Sequence, residues 1–211
     1  MPLRPSLLRE RAAWAHEMLL VGVDEAGRGP LAGPVVAAAV VFPPDCRALR
    51  GLRDSKVLPP PVRRTLAERI RARALCYGVG AASTREVDRL NIRIATALAM
   101  HRALVRLLAR PPLAGRAHCI LIDGLPLPEV GFAHEALVDG DARCHSIAAA
   151  AVIAKTVRDR LMERLSARHP GYGWQTNMGY GTPEHHDGLR AHGPTRHHRL
   201  TFAPLAQLTL F

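Results

Sequence analysis

The feature that most constrains this chain is a short apolar segment that ends in two adjacent carboxylates and a glycine-rich turn. Residues 18–21 are apolar and predict a buried strand, and the chain continues as G-V-D-E-A-G-R-G-P over residues 22–30. Buried carboxylates side by side repel each other and are costly to ionise, so Asp24 and Glu25 require a nearby cation. The dipeptide alone would also suit an exposed turn whose acids are merely solvated. The Gly-Arg-Gly-Pro run favours a metal-dependent site, because glycine lets the backbone approach a ligand closely.

The charge of the chain predicts a polyanionic partner. The 211 residues suit one compact domain, and 48% hydrophobic residues are enough for a core. Lys and Arg total 29 against 18 Asp and Glu, a net charge of +11, which favours nucleic acid first and an anionic membrane surface second. An arginine-rich composition of purely genomic origin would also raise this charge.

The cysteines and the apolar runs predict a soluble cytoplasmic protein, which we expect to be a monomer. The four cysteines form no C-x-x-C pair and are interpreted as reduced core residues. Charged residues interrupt the apolar residues near the N-terminus, and the longest apolar run, 35–42, is too short to span a bilayer.

The order of apolar segments predicts an α/β fold with a mixed five-stranded sheet flanked by helices and a small helical C-terminal part. Strands are predicted at 18–23, 34–42, 75–82, 117–122 and 135–138. Helices are predicted at 5–16, 59–74, 84–110 (as one helix or two), 146–168 and 184–191. We expect a catalytic domain over 1–202 and a tail over 203–211.

Four carboxylates share one local context, an apolar strand that ends near a glycine. They are Asp24, Glu25, Asp123 and Asp141. Ligands usually bind at strand ends in α/β sheets, and oxygen ligands suit Mg²⁺ or Mn²⁺. Such ions can activate a water and stabilise a leaving oxygen in phosphodiester hydrolysis. Asp123 alone, before Gly124, would also suit a simple turn.

Several motifs, in the same order along the chain, resemble those of bacterial ribonuclease HII. They are G-V-D-E-A-G-R-G-P, D-S-K-V-L, L-I-D-G, G-D-A-R followed by S-I-A-A-A-A-V-I-A-K-T-V-R-D, and M-G-Y-G-T. The resemblance implies an RNase H-like fold and hydrolysis of the phosphodiester 5′ of a ribonucleotide in RNA–DNA hybrids and in duplex DNA. The products would carry 3′-hydroxyl and 5′-phosphate ends. The alternatives are another nuclease of this fold and a catalytically silent nucleic-acid-binding module.

The resemblance assigns roles to individual residues. The catalytic, metal-binding carboxylates of the family fall on Asp24, Glu25, Asp123 and Asp141. The Gly27-Arg28-Gly29 turn corresponds to the element that senses the 2′-hydroxyl, and Tyr180 to a tyrosine that packs on the neighbouring sugar. Asp159 also matches a family position, to which we assign a helix-surface or structural role.

Lys56 and Lys155 are the only lysines in this arginine-rich chain, and both lie inside these motifs. A site that suits a compact ammonium better than a guanidinium, such as a phosphate contact or a carboxylate near the metals, would explain them; coincidence is the alternative.

The chain also departs from the family pattern at two places. Asn177-Met178 replaces a His-Lys pair, and Asp139 replaces a Lys before Gly-Asp. Two phosphate contacts are therefore missing, and Asp139 could compete with Asp141 for metal.

The C-terminal pentapeptide resembles the Q-L-x-L-F peptide that docks replication and repair proteins on the bacterial sliding clamp. Its anchor residues would be Gln207, Leu208, Leu210 and Phe211. The alternative is a terminal segment that folds back on the domain.

Late histidines and aromatics allow two readings. The histidines, at 185, 186, 192, 197 and 198, suit phosphate contacts better than a metal site, because they occur as sequence neighbours rather than at i, i+4 spacing. Trp174 beside Tyr172 could stack on nucleic acid or pack within the protein.

Overall fold

The computed structural model describes residues 4–53, 55, 57–203 and 205–208, with only the backbone of the last two. Its centre is a five-stranded sheet in the order β3-β2-β1-β4-β5. The strands are β1 Leu19–Ala26, β2 Val35–Val41, β3 Cys76–Ala82, β4 His118–Asp123 and β5 Glu135–Leu137. β1 pairs antiparallel with β2 and parallel with β4, so the predicted mixed sheet is confirmed.

The α-helices are α1 Leu8–Trp14, α2 Pro60–Arg73, α3 Thr84–Leu108, α4 Gly140–Arg143, α5 His145–Arg168, α6 Trp174–Asn177, α7 Pro183–His192 and α8 Leu205–Leu208. Helices cover both faces of the sheet. Apolar residues of α3 pack on one face, and those of α2 and α5 pack on the other.

The interior strand β2 shows why the sheet needs two helical layers. Its sequence, V-V-A-A-A-V-V, is buried along its whole length. Val35 and Ala37 belong to the core under α3, whereas Ala38 and Val40 belong to the core under α2 and α5. A strand buried on both faces has an uninterrupted apolar sequence rather than an alternating one.

Helix α5 lies directly on β1. A Cβ atom at Gly22 would lie 2.3 Å from the Ser146 carbonyl carbon, so only glycine allows this approach. Glu10 of α1 is 1% exposed and accepts a hydrogen bond from the Ser146 backbone N–H at 2.7 Å. A carboxylate at this position satisfies an otherwise unpaired donor in the first turn of α5.

The sequence predicts one helix or two over 84–110, and the structure has two helical runs. Asn91 interrupts them in a left-handed conformation, with φ 66°. The Asn91 Oδ1 atom accepts hydrogen bonds from the N–H groups of Arg93 and Ile94, so a new helical run begins there. The short helices α4 and α6 were not predicted.

The segment after α5 forms a small apolar cluster against the loop that follows β1. Trp174 and Leu205 are fully buried in this cluster, together with Leu31. Packing thus continues to Leu205, and the domain boundary after residue 202 stays a prediction. No helix in the part of the chain that the structure describes is long and apolar enough to cross a membrane.

Candidate active site

Two of the predicted carboxylates occupy neighbouring positions on adjacent strands. Val23 of β1 pairs with Ile122 of β4 in parallel register, so Asp24 and Asp123 follow at the next positions of the two strands. The sequence placed Asp24 and Glu25 beyond the end of β1. This was wrong, because β1 continues through both residues to Ala26.

Backbone N–H groups hold two of these carboxylates. The Glu25 N–H donates to Asp24 Oδ1 at 2.6 Å. The Gly140 N–H, at the first residue of α4, donates to Asp123 Oδ1 at 2.7 Å. Asp141 follows Gly140 within this helix and not at a strand end, which corrects the predicted context of the fourth carboxylate.

The four carboxylates share one electrostatic environment. Burial raises the pKa of Asp24 well above its usual range, and repulsion from Glu25, Asp123 and Asp141 raises it further. Burial also raises the pKa of Glu25, against the attraction of Arg28, whose Nη1 lies 3.3 Å from Glu25 Oε1. Asp141 contributes to this repulsion, which supports Asp141 as the fourth member of the group, and competition from Asp139 for metal stays a prediction.

The donor set fits a hard divalent cation in kind and in charge. Carboxylate oxygens are the ligands that Mg²⁺ and Mn²⁺ prefer, and a cation would relieve the repulsion that raises the pKa of Asp24. Among the described residues, no three Asp, Glu, His or Cys side chains already stand at metal-holding spacing.

A cavity of about 220 Å³ opens beside this cluster, between β4 and α3. Its lining includes Glu25, Arg28, Asp123 and Leu125.

The Gly27-Arg28-Gly29 turn and Tyr180 lie next to each other. A Cβ atom at Gly29 would lie 3.8 Å from Tyr180 Cε1, and the Tyr180 side chain is exposed. The Leu31 N–H donates to the Gly179 carbonyl at 2.8 Å, which ties the two segments together. The structure thus brings together two elements that are more than 150 residues apart in sequence.

Lys155 has a carboxylate partner, although not one of the four. Its Nζ donates to Asp159 Oδ1 at 2.7 Å, and Arg63 Nη2 donates to Asp159 Oδ2 at 2.6 Å. Asp159 is 6% exposed, so its placement on the helix surface was wrong and its structural role is supported. A phosphate contact by Lys155 stays a prediction.

Several predicted contact residues lie outside the described part of the chain. They are Lys56, Leu210, Phe211 and the side chains of Gln207 and Leu208.

The late histidines that are buried form part of the core. Trp174 Nε1 donates to His185 Nε2 at 3.0 Å. His185 Nε2 also lies 3.0 Å from His198 Nε2. The ring of Trp174 stacks on Tyr172 with centroids 5.1 Å apart. Because Trp174 is fully buried, the interpretation as a packed aromatic is correct and stacking on nucleic acid is not.

Sequence reasoning missed Arg158 and Arg199, which are fully buried beneath the Gly27-Arg28-Gly29 turn. Arg158 lies inside the family motif that ends in V-R-D, which could have pointed to it, whereas nothing in the sequence context of Arg199 distinguishes it from the other arginines.

Comparison with known proteins decides the family. A family profile described as Ribonuclease HII matches residues 21–205. The chain belongs to the ribonuclease HII family. The Ribonuclease HII of Synechococcus sp. (strain JA-3-3Ab) is 52% identical over 208 residues, covering 97% of this chain and 91% of that protein. The Ribonuclease HII of Delftia acidovorans is 48% identical and covers 97% of this chain and 85% of its own length.

Solved structures show the same fold. The RNase HII in the PCNA:RNase HII complex from Archaeoglobus fulgidus is 25% identical with a TM-score of 0.70, covering 88% of this chain and 95% of that one. The ribonuclease H2 from Pyrococcus horikoshii OT3 is also 25% identical, with a TM-score of 0.71 and coverage of 90% and 97%. The predicted RNase H-like fold is confirmed, and the chain is an endonuclease of the ribonuclease HII type.

Proposed function

We propose that this chain hydrolyses the phosphodiester 5′ of ribonucleotides, in RNA–DNA hybrids and in duplex DNA that carries embedded ribonucleotides, with Mg²⁺ or Mn²⁺ as cofactor. The observation that carries the proposal is the placement of the four carboxylates: Asp24 and Asp123 lie at neighbouring positions of the adjacent strands β1 and β4, and the Gly140 N–H, one residue before Asp141, binds Asp123. Their mutual repulsion, which raises the pKa of Asp24, supports it. Acidic side chains that repel one another destabilise a fold, and such a group is typical of a cation-binding site.

The chemistry follows from the donor set. Asp24, Glu25, Asp123 and Asp141 would hold the cation, which when bound supplies Lewis acidity to a water and to the leaving oxygen. Hydrolysis breaks the bond between phosphorus and the O3′ of the preceding nucleotide. That oxygen leaves as a 3′-hydroxyl, and the phosphate stays on the 5′ oxygen of the ribonucleotide.

Recognition would come from the segment beside the carboxylates. A 2′-hydroxyl is the group that distinguishes RNA from DNA, and the backbone of Gly27, Arg28 and Gly29 is accessible to it. Tyr180, exposed beside Gly29, is available to pack on the next sugar. The chain's net charge of +11 favours the phosphates of both strands.

Cleavage of one duplex tests this function. A duplex with a single ribonucleotide, labelled at either end, is incubated with Mg²⁺, with Mn²⁺ or with EDTA, and the same sequence without the ribonucleotide is the control. We expect one cut, 5′ of the ribonucleotide, with 3′-hydroxyl and 5′-phosphate ends and only with metal. Binding without cleavage in either metal would favour a silent binding module, and cutting of the all-DNA control would favour another nuclease of this fold.

We further propose that the C-terminal pentapeptide docks a monomeric, cytoplasmic enzyme on the sliding clamp. The support is the Q-L-T-L-F sequence of residues 207–211, and the archaeal RNase HII was solved in complex with PCNA. Leu205, buried in the domain, would anchor the start of this segment.

Truncation tests the docking peptide. A chain that ends at residue 206 should keep its melting temperature and its cleavage of a short duplex, yet lose binding to the cognate clamp in calorimetry. The isolated peptide should bind at micromolar concentration, about −8 kcal/mol. Loss of stability on truncation would instead indicate a segment that folds back on the domain.

A further inference from the structure

Two buried arginines lie behind the turn that follows β1. Arg158, on α5, and Arg199, after α7, are both fully buried. Among the described residues neither guanidinium forms an ion pair. Burying a charge without a counter-charge is costly, so these two positions require a compensating set of hydrogen bonds.

Arg199 obtains those bonds from the carbonyls of the turn itself. Its Nη2 donates to the Gly27 oxygen at 2.6 Å and its Nη1 to the Arg28 oxygen at 2.7 Å. Nη2 and Nε also donate to the Gly33 oxygen, at 2.8 Å and 3.1 Å. One guanidinium therefore fixes both ends of the loop from Gly27 to Gly33.

Arg158 fixes the same loop from the other side and joins it to the segment 178–180, which contains Tyr180. It donates to the carbonyls of Ala32 and Pro34, each at 3.0 Å, and to the carbonyl of Met178, also at 3.0 Å. Its side chain also fills the space under Gly27, where a Cβ atom would lie 1.9 Å from Arg158 Nε.

These carbonyl contacts determine where the N–H groups of the turn point. In a trans peptide the C=O and the following N–H point in opposite directions. With the carbonyls of Gly27 and Arg28 turned inward to Arg199, the N–H groups of Arg28 and Gly29 point outward. Within the described part of the chain, no atom accepts a hydrogen bond from either N–H.

We propose that Arg158 and Arg199 are positioning residues that preset these two N–H groups to bind an oxygen acceptor of the nucleic acid, and so set the discrimination between ribonucleotide and deoxyribonucleotide. The inference rests on the proposed function. A lysine could not replace either arginine, because a single ammonium cannot span carbonyls that the planar fork reaches together.

Arg199→Lys and Arg158→Lys test this, with Arg196→Lys as the matched control because Arg196 is exposed on the same segment as Arg199. Dissociation constants are measured without divalent metal for a duplex with one ribonucleotide and for the same sequence in all-DNA form. We expect the ratio of the two constants to fall about tenfold in the Arg199 and Arg158 variants, the size of one or two lost hydrogen bonds, with affinity for all-DNA within about twofold of wild type. Lower melting temperature with an unchanged ratio would overturn the proposal.

A measurement on the wild type covers the case in which a variant fails to fold. In ¹⁵N–¹H spectra without metal, the Arg28 and Gly29 amide signals should shift more on addition of the ribonucleotide duplex than on addition of the all-DNA duplex. Equal shifts with both duplexes would also overturn the proposal. If the wild type instead neither discriminates between the duplexes nor cleaves with metal, the proposed function itself fails.

Discussion

Asp24 and Asp159 are equally buried, each 6% exposed, yet their surroundings are opposite. Asp159 sits between two cations, Arg63 and Lys155, which contact one carboxylate oxygen each. Asp24 has three acidic neighbours, and its own described hydrogen bond comes from a backbone N–H. Burial alone therefore does not distinguish an ion-paired structural acid from a member of the proposed metal-binding group.

The sign of the neighbouring charges makes that distinction. A carboxylate that is already neutralised stabilises the fold and needs no ligand, whereas a repulsive group of carboxylates costs stability until a cation binds. We therefore expect opposite effects when the charge is removed: loss of Asp24 should lower activity, whereas loss of Asp159 should lower stability.

The largest effect is expected from Asp24→Asn. Removal of one ligand charge should lower kcat/KM by about a thousandfold or more, about 4 kcal/mol of transition-state stabilisation. Without metal, the free energy of unfolding at neutral pH should rise, because the raised pKa of Asp24 means that its ionised form costs stability there. Single-turnover cleavage and urea unfolding measure the two quantities. Asp187→Asn is the control, because Asp187 is exposed. Near-normal turnover of Asp24→Asn would contradict the assignment of Asp24 to the metal-binding group.

Asp159→Asn should do the reverse. It leaves Arg63, whose side chain is 7% exposed, without its counter-charge, and breaking a buried pair costs about 3–5 kcal/mol. Urea unfolding should show that loss, while kcat per folded molecule stays within about threefold of wild type. A loss of turnover without a loss of stability would mean that Asp159 belongs to the catalytic group.

The free energy of unfolding should depend on pH in opposite directions through Asp24 and through two buried histidines. Burial lowers the pKa of His145 and of His198 to about 4, and each accepts a backbone N–H, from Leu49 and from Thr195. Their neutral forms stabilise the fold above the ordinary pKa of 6.5, and this stability is lost as the pH falls toward 4. At about pH 5.5 we expect a loss of about 1.4 kcal/mol per histidine.

Urea midpoints from pH 7.5 to pH 5 measure this loss. Asp24 acts in the opposite direction, because its raised pKa adds stability as the pH falls. The stability gain of Asp24→Asn over wild type should therefore shrink toward low pH. A constant difference across the range would show that Asp24 does not titrate there.

The smallest effect is expected from Tyr180→Ala. Loss of the exposed ring beside Gly29 should lower kcat/KM on a single embedded ribonucleotide about fivefold more than on a continuous hybrid, about 1 kcal/mol. Tyr180→Phe keeps the ring and should behave as wild type on both substrates. Equal losses on both substrates would assign Tyr180 to packing alone.

The part of the fold that could be predicted from the sequence is the part that the pattern of apolar residues determines, namely the sheet. The uninterrupted apolar run of β2 and the four carboxylates near strand ends indicated a sheet with an acidic edge. The family motifs then assigned roles that neither periodicity nor spacing could assign.

The remainder depended on contacts between residues far apart in sequence. Arg199 and Gly27 are 172 positions apart, and in an arginine-rich chain a buried arginine has no distinguishing signal. The same holds for Glu10, a charged residue of the predicted helix over 5–16, which is buried and binds the first turn of α5 instead of facing solvent. A charged side chain can be buried only where hydrogen-bond or ionic partners surround it, and the tertiary fold determines those partners.

Metal binding measured as stabilisation tests the central claim most directly. Melting temperatures of the wild type, Asp24→Asn and Asp159→Asn are compared over a titration with Mg²⁺ and with Mn²⁺, without nucleic acid. Because a ligand stabilises the state that binds it, the wild type and Asp159→Asn should both gain stability with metal, and Asp24→Asn should gain little. If Asp24→Asn gains as much as the wild type, the carboxylates at the sheet edge are not the cation site.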